Sequence, residues 1–384
     1  MKLVLRVLAV AALAFGAARA DVVIPESLRS NIPPPDIEAE SWMLQDQKSG
    51  WIIASHNADA GVEPASISKL MTAYVVFDAL KRGNISGGDL VSISERAWRM
   101  EGSRMFVQVN SRVSVDDLLR GLIVQSGNDA ALALAEYVAG SEEGFVELMN
   151  QTAIHLGLDG TRYQNSSGLP HPDHYSTARD ISELTRALIR DFPDYYALYR
   201  MKEFTYNDIT QRNRNVLLWR DDSVDGVKTG HTSSAGYCLV GSAERDGMRL
   251  IATVMGTESP RYRSEAVYSL LRHGFAAYEG YLVYDTDKPV SRLAVYKGEH
   301  DGVDAVVAEP LWVTVAKGSV DKISARTEFD TPIVAPVEAG ARVGTLTVNL
   351  RGERVGDYPL VAAQSIGAGS WLGGLVDSVL LLFQ

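Results

Sequence analysis

Residues 63–74 read EPASISKLMTAY, which places a serine and a lysine three residues apart, behind a proline, at the start of an apolar segment. Apolar residues follow at close to helical spacing, at Leu70, Tyr74, Phe77 and Leu80. This period predicts a helix over residues 65–82, on which residues three apart share a face. Two interpretations stay open here. Either Ser66 or Ser68 caps the helix beside an ordinary charged Lys69, or Ser66 is a nucleophile and Lys69 is its base.

The composition indicates a globular protein, with 384 residues of which 46% are hydrophobic and 22% charged. Lys2 and Arg6, an apolar run and Ala18-Arg19-Ala20 predict a secretory signal peptide at residues 1–20, whereas an uncleaved membrane anchor would need a longer apolar run. Removing these residues takes away three positive charges and no acid, so the net charge changes from −11 to −14. So acidic a protein is a poor candidate for binding nucleic acid.

Cysteine and histidine give no sign of a metal centre. The single cysteine, Cys238, excludes an internal disulfide and lies in a strand-like stretch, as expected of a buried thiol. The nearest approach to a metal motif is His171-Pro-Asp-His174, which is interpreted as a loop. We therefore expect no metal and no other cofactor.

Strand and helix patterns divide the mature chain into two folded parts. Strand-like segments begin near residue 41 and return after Glu203, and the helical segments between them span 115–125, 129–138, 142–157 and 178–192. Residues 24–279 are thus predicted to form one α+β domain. Short alternating segments then predict a small all-β domain over 280–366. Residues 367–384 are predicted to be an amphipathic C-terminal segment, and its stretch 369–384, GSWLGGLVDSVLLLFQ, carries an apolar stripe. As a helix this stretch would reach only about 24 Å, too short to span a bilayer core of about 30 Å.

Three short motifs occur in a meaningful order. Ser66-Ile-Ser-Lys69 stands at a helix start, Ser126-Gly-Asn128 in a break between helices, and Lys228-Thr-Gly230 at a strand edge. A Ser-x-x-Lys alone is weak evidence, because Ser319-Val-Asp-Lys322 also matches it in a β-patterned region with no predicted helix. The ordered set is the signature of class A β-lactamases and penicillin-binding proteins.

The resemblance can be narrowed to one family. The SGN triplet, GVKTGHT, the segment NSSGLP…YSTARD at residues 165–180, the β-rich domain and the apolar tail resemble the low-molecular-mass penicillin-binding proteins, the D-alanyl-D-alanine carboxypeptidases. The resemblance implies a penicillin-binding/β-lactamase-like domain, made of an antiparallel sheet with helices and an inserted helical region. The small β domain and a C-terminal amphipathic helix would follow it.

The same resemblance implies a role for each motif residue. Ser66 would be acylated by the peptidoglycan stem peptide with Lys69 as its base, and Ser126 would relay a proton to the leaving D-alanine. Substrate-binding roles would fall to Asn128, Lys228, Thr229, Gly230, His231, Thr232 and Arg263, with Arg261 as the alternative to Arg263. Backbone N–H groups of Ser66 and His231 would form the oxyanion hole. Lys228 is also expected to lower the pKa of Lys69.

The predicted protein is an exported, periplasmic serine carboxypeptidase that trims stem pentapeptides through an acyl-enzyme and takes β-lactam antibiotics as covalent inhibitors. Peripheral contact with the outer face of the inner membrane through residues 367–384 is expected. Because no Lys or Arg follows Arg354, that contact would rest on apolar burial. A DD-endopeptidase or β-lactamase of the same fold, or a catalytically silent wall-binding or penicillin-sensing module, are the alternatives. Glu203 and Asn207 match the spacing of a deacylating motif of class A β-lactamases, which we attribute to chance because the stretch has a strand pattern.

Overall fold

The computed structural model describes residue 24 and residues 28–369. The predicted signal peptide at residues 1–20 and the tail from residue 370 onward lie outside the described residues, so the C-terminal amphipathic helix stays a prediction. Within the described part, every helix is too short or too polar to cross a membrane.

The strands and helices are numbered in chain order. The strands are β1 Ser41–Asp46, β2 Ile52–His56, β3 Leu90–Ser92, β4 Arg112–Ser114, β5 Glu203–Tyr206, β6 Ile209–Arg212, β7 Val224–Thr232, β8 Gly236–Arg245, β9 Met248–Thr257, β10 Tyr278–Tyr284, β11 Ser291–Tyr296, β12 Gly302–Val307, β13 Leu311–Ala316, β14 Ile323–Phe329, β15 Ile333–Val334, β16 Arg342–Leu350 and β17 Glu353–Ala362. The α-helices are α1 Lys69–Lys81, α2 Glu95–Trp98, α3 Val115–Arg120, α4 Asn128–Ala139, α5 Glu142–His155, α6 Ala178–Asp191, α7 Pro193–Tyr196, α8 Leu217–Arg220 and α9 Pro260–Ala277. Shorter 3₁₀ turns span Ala65–Ser68, Ala197–Arg200 and Val320–Lys322, and one π-helical turn spans Gly121–Gln125.

An antiparallel five-stranded sheet in the order β2-β1-β9-β8-β7 forms the centre of the first domain. Turn chemistry explains its hairpins. Asp46 Oδ1 accepts hydrogen bonds from the N–H groups of Lys48 and Ser49 in the first turn. Asp246 and Gly247 both have positive φ in the turn between β8 and β9, as a two-residue hairpin loop requires. This order leaves β7, the strand that carries Lys-Thr-Gly, at the edge of the sheet.

Both faces of the sheet are covered. Successive side chains of a strand point to opposite faces, and in β1 Met43 joins one hydrophobic core while Trp42 and Leu44 join another. The first core holds the helical region of α1 and α3–α6. The second holds α9, which packs on β8 and β9. The predicted α+β arrangement with inserted helices is confirmed.

The C-terminal part is all-β, as predicted. It contains a six-stranded sheet in the order β14-β16-β17-β12-β11-β15 and the pair β10–β13. The second core continues into it, and Ser49 Oγ lies 2.6 Å from Thr314 Oγ1 across the junction. The predicted boundary between residues 279 and 280 falls inside β10.

Candidate active site

The first motif lies on the turn that leads into α1. Ala65–Ser68 form the 3₁₀ turn, and the α-helix begins at Lys69. The side chains of Ser66 and Ser68 make no capping hydrogen bond to either helix, so the capping interpretation is wrong. Ala65 has a φ of +47°, which is unusual for a residue with a side chain. The turn therefore presents Ser66 half-buried at a cleft while Lys69 lies beneath it.

Lys69 lies in contact with the serine. Its Nζ is 3.1 Å from Ser66 Oγ, 2.7 Å from Asn128 Oδ1 and 2.5 Å from the carbonyl oxygen of Ser167. A neutral amine has two N–H groups and one lone pair. If Asn128 and Ser167 accept both N–H groups, the lone pair faces the hydroxyl of Ser66. This is the arrangement a base needs.

The surroundings of Lys69 favour that neutral form. Its side chain is 1% exposed. Its pKa is lowered from 10.5 to about 7: burial is the largest cause, the positive charge of Arg214 also lowers the pKa, and Asp129 acts in the opposite direction. The expected cation was Lys228, but burial is the largest cause and Arg214 contributes a positive charge. Repulsion between the two lysines lowers the pKa of Lys228, for which burial is again the largest cause.

The second motif, Ser126-Gly-Asn128, also lines the cleft. The π-helical turn ends at Ser126, which has a φ of +63°, and α4 begins two residues later at Asn128. Lys228 Nζ donates to Ser126 Oγ at 2.8 Å and to the carbonyl of Thr229 at 3.0 Å. Asn128 Nδ2 donates to the carbonyl of Glu101 at 2.6 Å. Each lysine thus faces one serine hydroxyl.

The third motif packs directly on the first. A Cβ added at Gly230 would lie 3.0 Å from the carbonyl oxygen of Pro64, so a larger residue would push the edge strand away from the 3₁₀ turn that carries Ser66. His231 stacks on Tyr237 with ring centroids 4.0 Å apart, and Thr232 Oγ1 accepts from the N–H of Ala235 at 2.9 Å. The edge strand is held in place beside the serine.

A cleft of about 570 Å³ lies between these walls. Its lining includes Ser66, Ser126, Asn128, Thr229, Gly230, His231, Thr232, Arg214 and Arg263. Arg263 is buried, and its Nη1 donates to the carbonyls of Gly230 at 3.0 Å and Cys238 at 3.4 Å. Its Nε is buried without a hydrogen-bond partner in the part of the chain that the structure describes. Arg261 is exposed and does not line the cleft.

Three contributors escaped the sequence analysis. Arg214 lines the cleft from the segment before α8, and no periodicity singles it out. Ser167 acts through its carbonyl, which no motif encodes. Asp129 accepts backbone N–H groups of Met105 and Phe106 and so holds the loop beside Asn128; its place directly after Ser-Gly-Asn was the available signal.

Two sequence matches that were attributed to chance, at Ser319 and Glu203, lie outside the cleft. Ser319 does precede a short 3₁₀ turn, contrary to the expectation that no helix follows it, but its Oγ accepts from Arg351 Nη2 at 3.1 Å. Glu203 forms an exposed ion pair with Arg212 across the β5–β6 hairpin. Neither residue lines the cleft.

Fold and site define a serine acyltransferase of the penicillin-recognising type, in which a Ser-Lys pair, a Ser-Gly-Asn turn and a Lys-Thr-Gly edge strand surround one cleft. Comparison with known families narrows this class to one family. Residues 29–259 match the family model described as D-alanyl-D-alanine carboxypeptidase, and residues 278–368 match the C-terminal domain of penicillin-binding protein 5. The chain belongs to the D-alanyl-D-alanine carboxypeptidase family.

Two relatives match about nine tenths of the chain, and a third matches about two thirds of it. The D-alanyl-D-alanine carboxypeptidase DacC of Escherichia coli is 40% identical over 361 residues, which cover 92% of this chain and 90% of the relative. The crystal structure of penicillin-binding protein 5 from Haemophilus influenzae has a TM-score of 0.82 and 41% identity over 88% of this chain and 99% of that one. Penicillin-binding protein D2 from Listeria monocytogenes, solved in its ampicillin-bound form, has a TM-score of 0.59 and 29% identity over 64% of this chain and all of that one (100%).

Proposed function

We propose that this chain hydrolyses the terminal D-Ala-D-Ala bond of peptidoglycan stem pentapeptides, with Ser66 as nucleophile and Lys69 as general base. The observation that carries the assignment is the Ser66–Lys69 contact of 3.1 Å together with a pKa of about 7 for Lys69. A normal lysine is almost fully charged at neutral pH and could not accept the proton of a serine. Family membership supports the reaction itself.

In the proposed acylation step, neutral Lys69 takes the proton of Ser66 as Oγ attacks the carbonyl carbon of the penultimate D-alanine. The oxyanion is stabilised by the backbone N–H groups of Ser66 and His231. Ser126 relays the proton taken up by Lys69 to the leaving amine, while Lys228 Nζ holds the relay by donating a hydrogen bond to Ser126 Oγ at 2.8 Å. Lys69, neutral again, then takes a proton from water as the water attacks the ester, and returns a proton to Ser66 Oγ as the shortened peptide leaves.

The edge position of β7 supports the proposed substrate orientation. A peptide can add as a further strand along Thr229–Thr232 because no described strand pairs with that edge. Asn128 would hold a substrate amide. The terminal carboxylate would then reach Arg263, whose buried Nε lacks a partner among the described residues, and Arg214 adds positive charge to the same cleft. Both arginines are suited to bind an anion.

Mapping a penicillin adduct by mass spectrometry tests the nucleophile. We expect one labelled peptide that carries the adduct at Ser66, no adduct in Ser66→Ala, and normal labelling in the matched control Ser319→Ala, which removes the serine of the other Ser-x-x-Lys. Release of free D-alanine from a pentapeptide by the same three proteins tests the reaction. An adduct on any other residue would overturn the assignment of Ser66.

The same assays separate the related activities. Cleavage of cross-linked dipeptides faster than pentapeptides would indicate an endopeptidase. An adduct lost within seconds would indicate a β-lactamase, and turnover of neither substrate would indicate a silent module.

The domain assignment and location are part of the proposal. Residues 24–279 would carry catalysis and residues 280–366 would form a separate β domain. Export through residues 1–20 and apolar attachment through residues 367–384 would place the enzyme in the periplasm, on the outer face of the inner membrane. Flotation of the mature protein with lipid vesicles, with and without residues 368–384, tests the attachment; equal flotation of both forms would contradict it.

A further inference from the structure

A second serine of the turn Ala65–Ser68, called the nucleophile turn here because it carries Ser66, contacts a buried histidine. Ser68 Oγ lies 2.8 Å from Nε2 of His174, and the two residues are 2% and 3% exposed. Ser68 Oγ is also 2.8 Å from the carbonyl oxygen of Ala65. Neither side chain takes part in the proposed acylation, although Ser68 lies two residues after Ser66 in the same 3₁₀ turn.

The hydrogen-bond directions follow from the other ring nitrogen. His174 Nδ1 lies 3.3 Å from the backbone N of Gln164 and can only accept from it. A neutral ring therefore carries its proton on Nε2 and donates it to Ser68 Oγ. Burial and nearby positive charge lower the pKa of His174 to about 4, which keeps the ring neutral near pH 7. Ser68 in turn donates its own proton to the carbonyl of Ala65.

That carbonyl belongs to the peptide group whose N–H is on Ser66. In a trans peptide the C=O and N–H groups lie in one plane and point in opposite directions. A hydrogen bond that fixes the carbonyl of Ala65 therefore also fixes the direction of the Ser66 N–H, one of the two proposed oxyanion-hole donors.

The peptide needs such a restraint because its conformation is unfavourable. Ala65 has a φ of +47°, and a residue with a side chain is held there only when its surroundings enforce it. Gly168 also packs so closely that a Cβ on it would lie 1.8 Å from the carbonyl oxygen of Ala65. The close packing of Gly168 and the hydrogen bond from Ser68 thus both restrain this peptide.

We propose that His174 and Ser68 are positioning residues for the oxyanion hole: a chain of hydrogen bonds from His174 through Ser68 to the carbonyl of Ala65 orients the N–H of Ser66. The same ring accepts from Gln164, in the segment that also supplies the carbonyl of Ser167 to Lys69. His174 therefore keeps the nucleophile turn in register with the residue that holds the base. This inference rests on the proposed role of Ser66.

The test compares two disruptive variants with two conservative ones. His174→Leu and Ser68→Ala remove a hydrogen bond of the chain, whereas His174→Gln keeps an N–H donor and Ser68→Thr keeps the hydroxyl. Stopped-flow acylation by benzylpenicillin gives the binding constant and the first-order acylation rate separately, and thermal melting reports folding. Loss of a whole oxyanion donor typically costs about 10²–10³ in rate, and a misdirected one should cost less.

We expect the first-order acylation rate of His174→Leu and Ser68→Ala to fall by about ten-fold or more, in line with the sensitivity of rate to small displacements, with the binding constant unchanged. His174→Gln and Ser68→Thr should stay close to wild type. Because the two residues act in series, the double variant His174→Leu/Ser68→Ala should be no slower than the slower single variant.

Three outcomes would overturn the inference: wild-type acylation by Ser68→Ala, multiplied effects in the double variant, or a loss confined to the binding constant. If His174→Leu does not fold, Ser68→Ala and Ser68→Thr decide the question. Absence of a Ser66 adduct in the wild type would instead refute the proposed function.

Discussion

The pKa of Lys69 makes a quantitative prediction about the pH dependence of acylation. With a pKa of about 7, roughly half of Lys69 is neutral at pH 7. With the ordinary lysine pKa of 10.5, Lys69 would be neutral in only about one molecule in 3,000 at pH 7. The second-order rate constant of penicillin acylation should therefore rise with pH through a midpoint near 7 and level off above it.

Replacing Arg214 by glutamine removes the cation that supports this shift. The pKa of Lys69 should then rise, since a positive charge that lowers it has been removed. A rise of about one unit, of the size one nearby charge can produce, would reduce the neutral fraction at pH 7 from about one half to about one tenth. Acylation would be about five-fold slower at pH 7 and unchanged on the alkaline plateau.

Two controls separate this effect from lost binding. Arg214→Lys keeps the charge and should keep the midpoint. Loss of a contact between Arg214 and the carboxylate of penicillin would lower the rate equally at every pH and leave the midpoint in place. Because Arg214 is exposed in the cleft, added salt should also diminish the difference between wild type and Arg214→Gln. An unshifted midpoint in Arg214→Gln would refute the assigned cause.

Three further predictions follow from the contacts. Gly168→Ala should reduce acylation by about 10²-fold or more because its Cβ would collide with the carbonyl of Ala65, whereas Gly83→Ala, which also has positive φ but nothing within 4 Å, should retain activity. Arg263→Gln should lower kcat/KM by about 10- to 100-fold for a peptide with a free terminal carboxylate, the worth of a charge-assisted hydrogen bond, and hardly at all for its C-terminal amide; equal losses would exclude the carboxylate contact. The pKa of His174 is lowered from 6.5 to about 4, so the unfolded chain binds a proton in this window that the folded one does not, and the free energy of unfolding should fall by about 3 kcal/mol as pH decreases from 6.5 to 4. Denaturant titrations should show a smaller decrease for His174→Gln, and identical curves would contradict the assignment.

The local patterns that predicted the fold act over short distances. The β1–β2 hairpin follows from a turn closed by Asp46, and the β8–β9 hairpin from Asp246-Gly247. The three motifs were likewise visible, because each combines reactive residue types with a local structural setting. Their meeting in one cleft was an expectation from the order of motifs and from family resemblance; the cleft itself brings Ser66, Ser126 and Thr229 together.

What the sequence by itself determined was which residues could react, since residue type and spacing along one element are local properties. Only the tertiary structure decided the state of those residues. The pKa of Lys69 depends on burial and on Arg214, which is far away in sequence, and its geometry depends on a backbone carbonyl at Ser167 that no side-chain pattern records. The contact between Ser68 and His174 joins residues 106 positions apart. Desolvation and long-range contacts arise only when the chain has folded, so periodicity and motif order cannot report them.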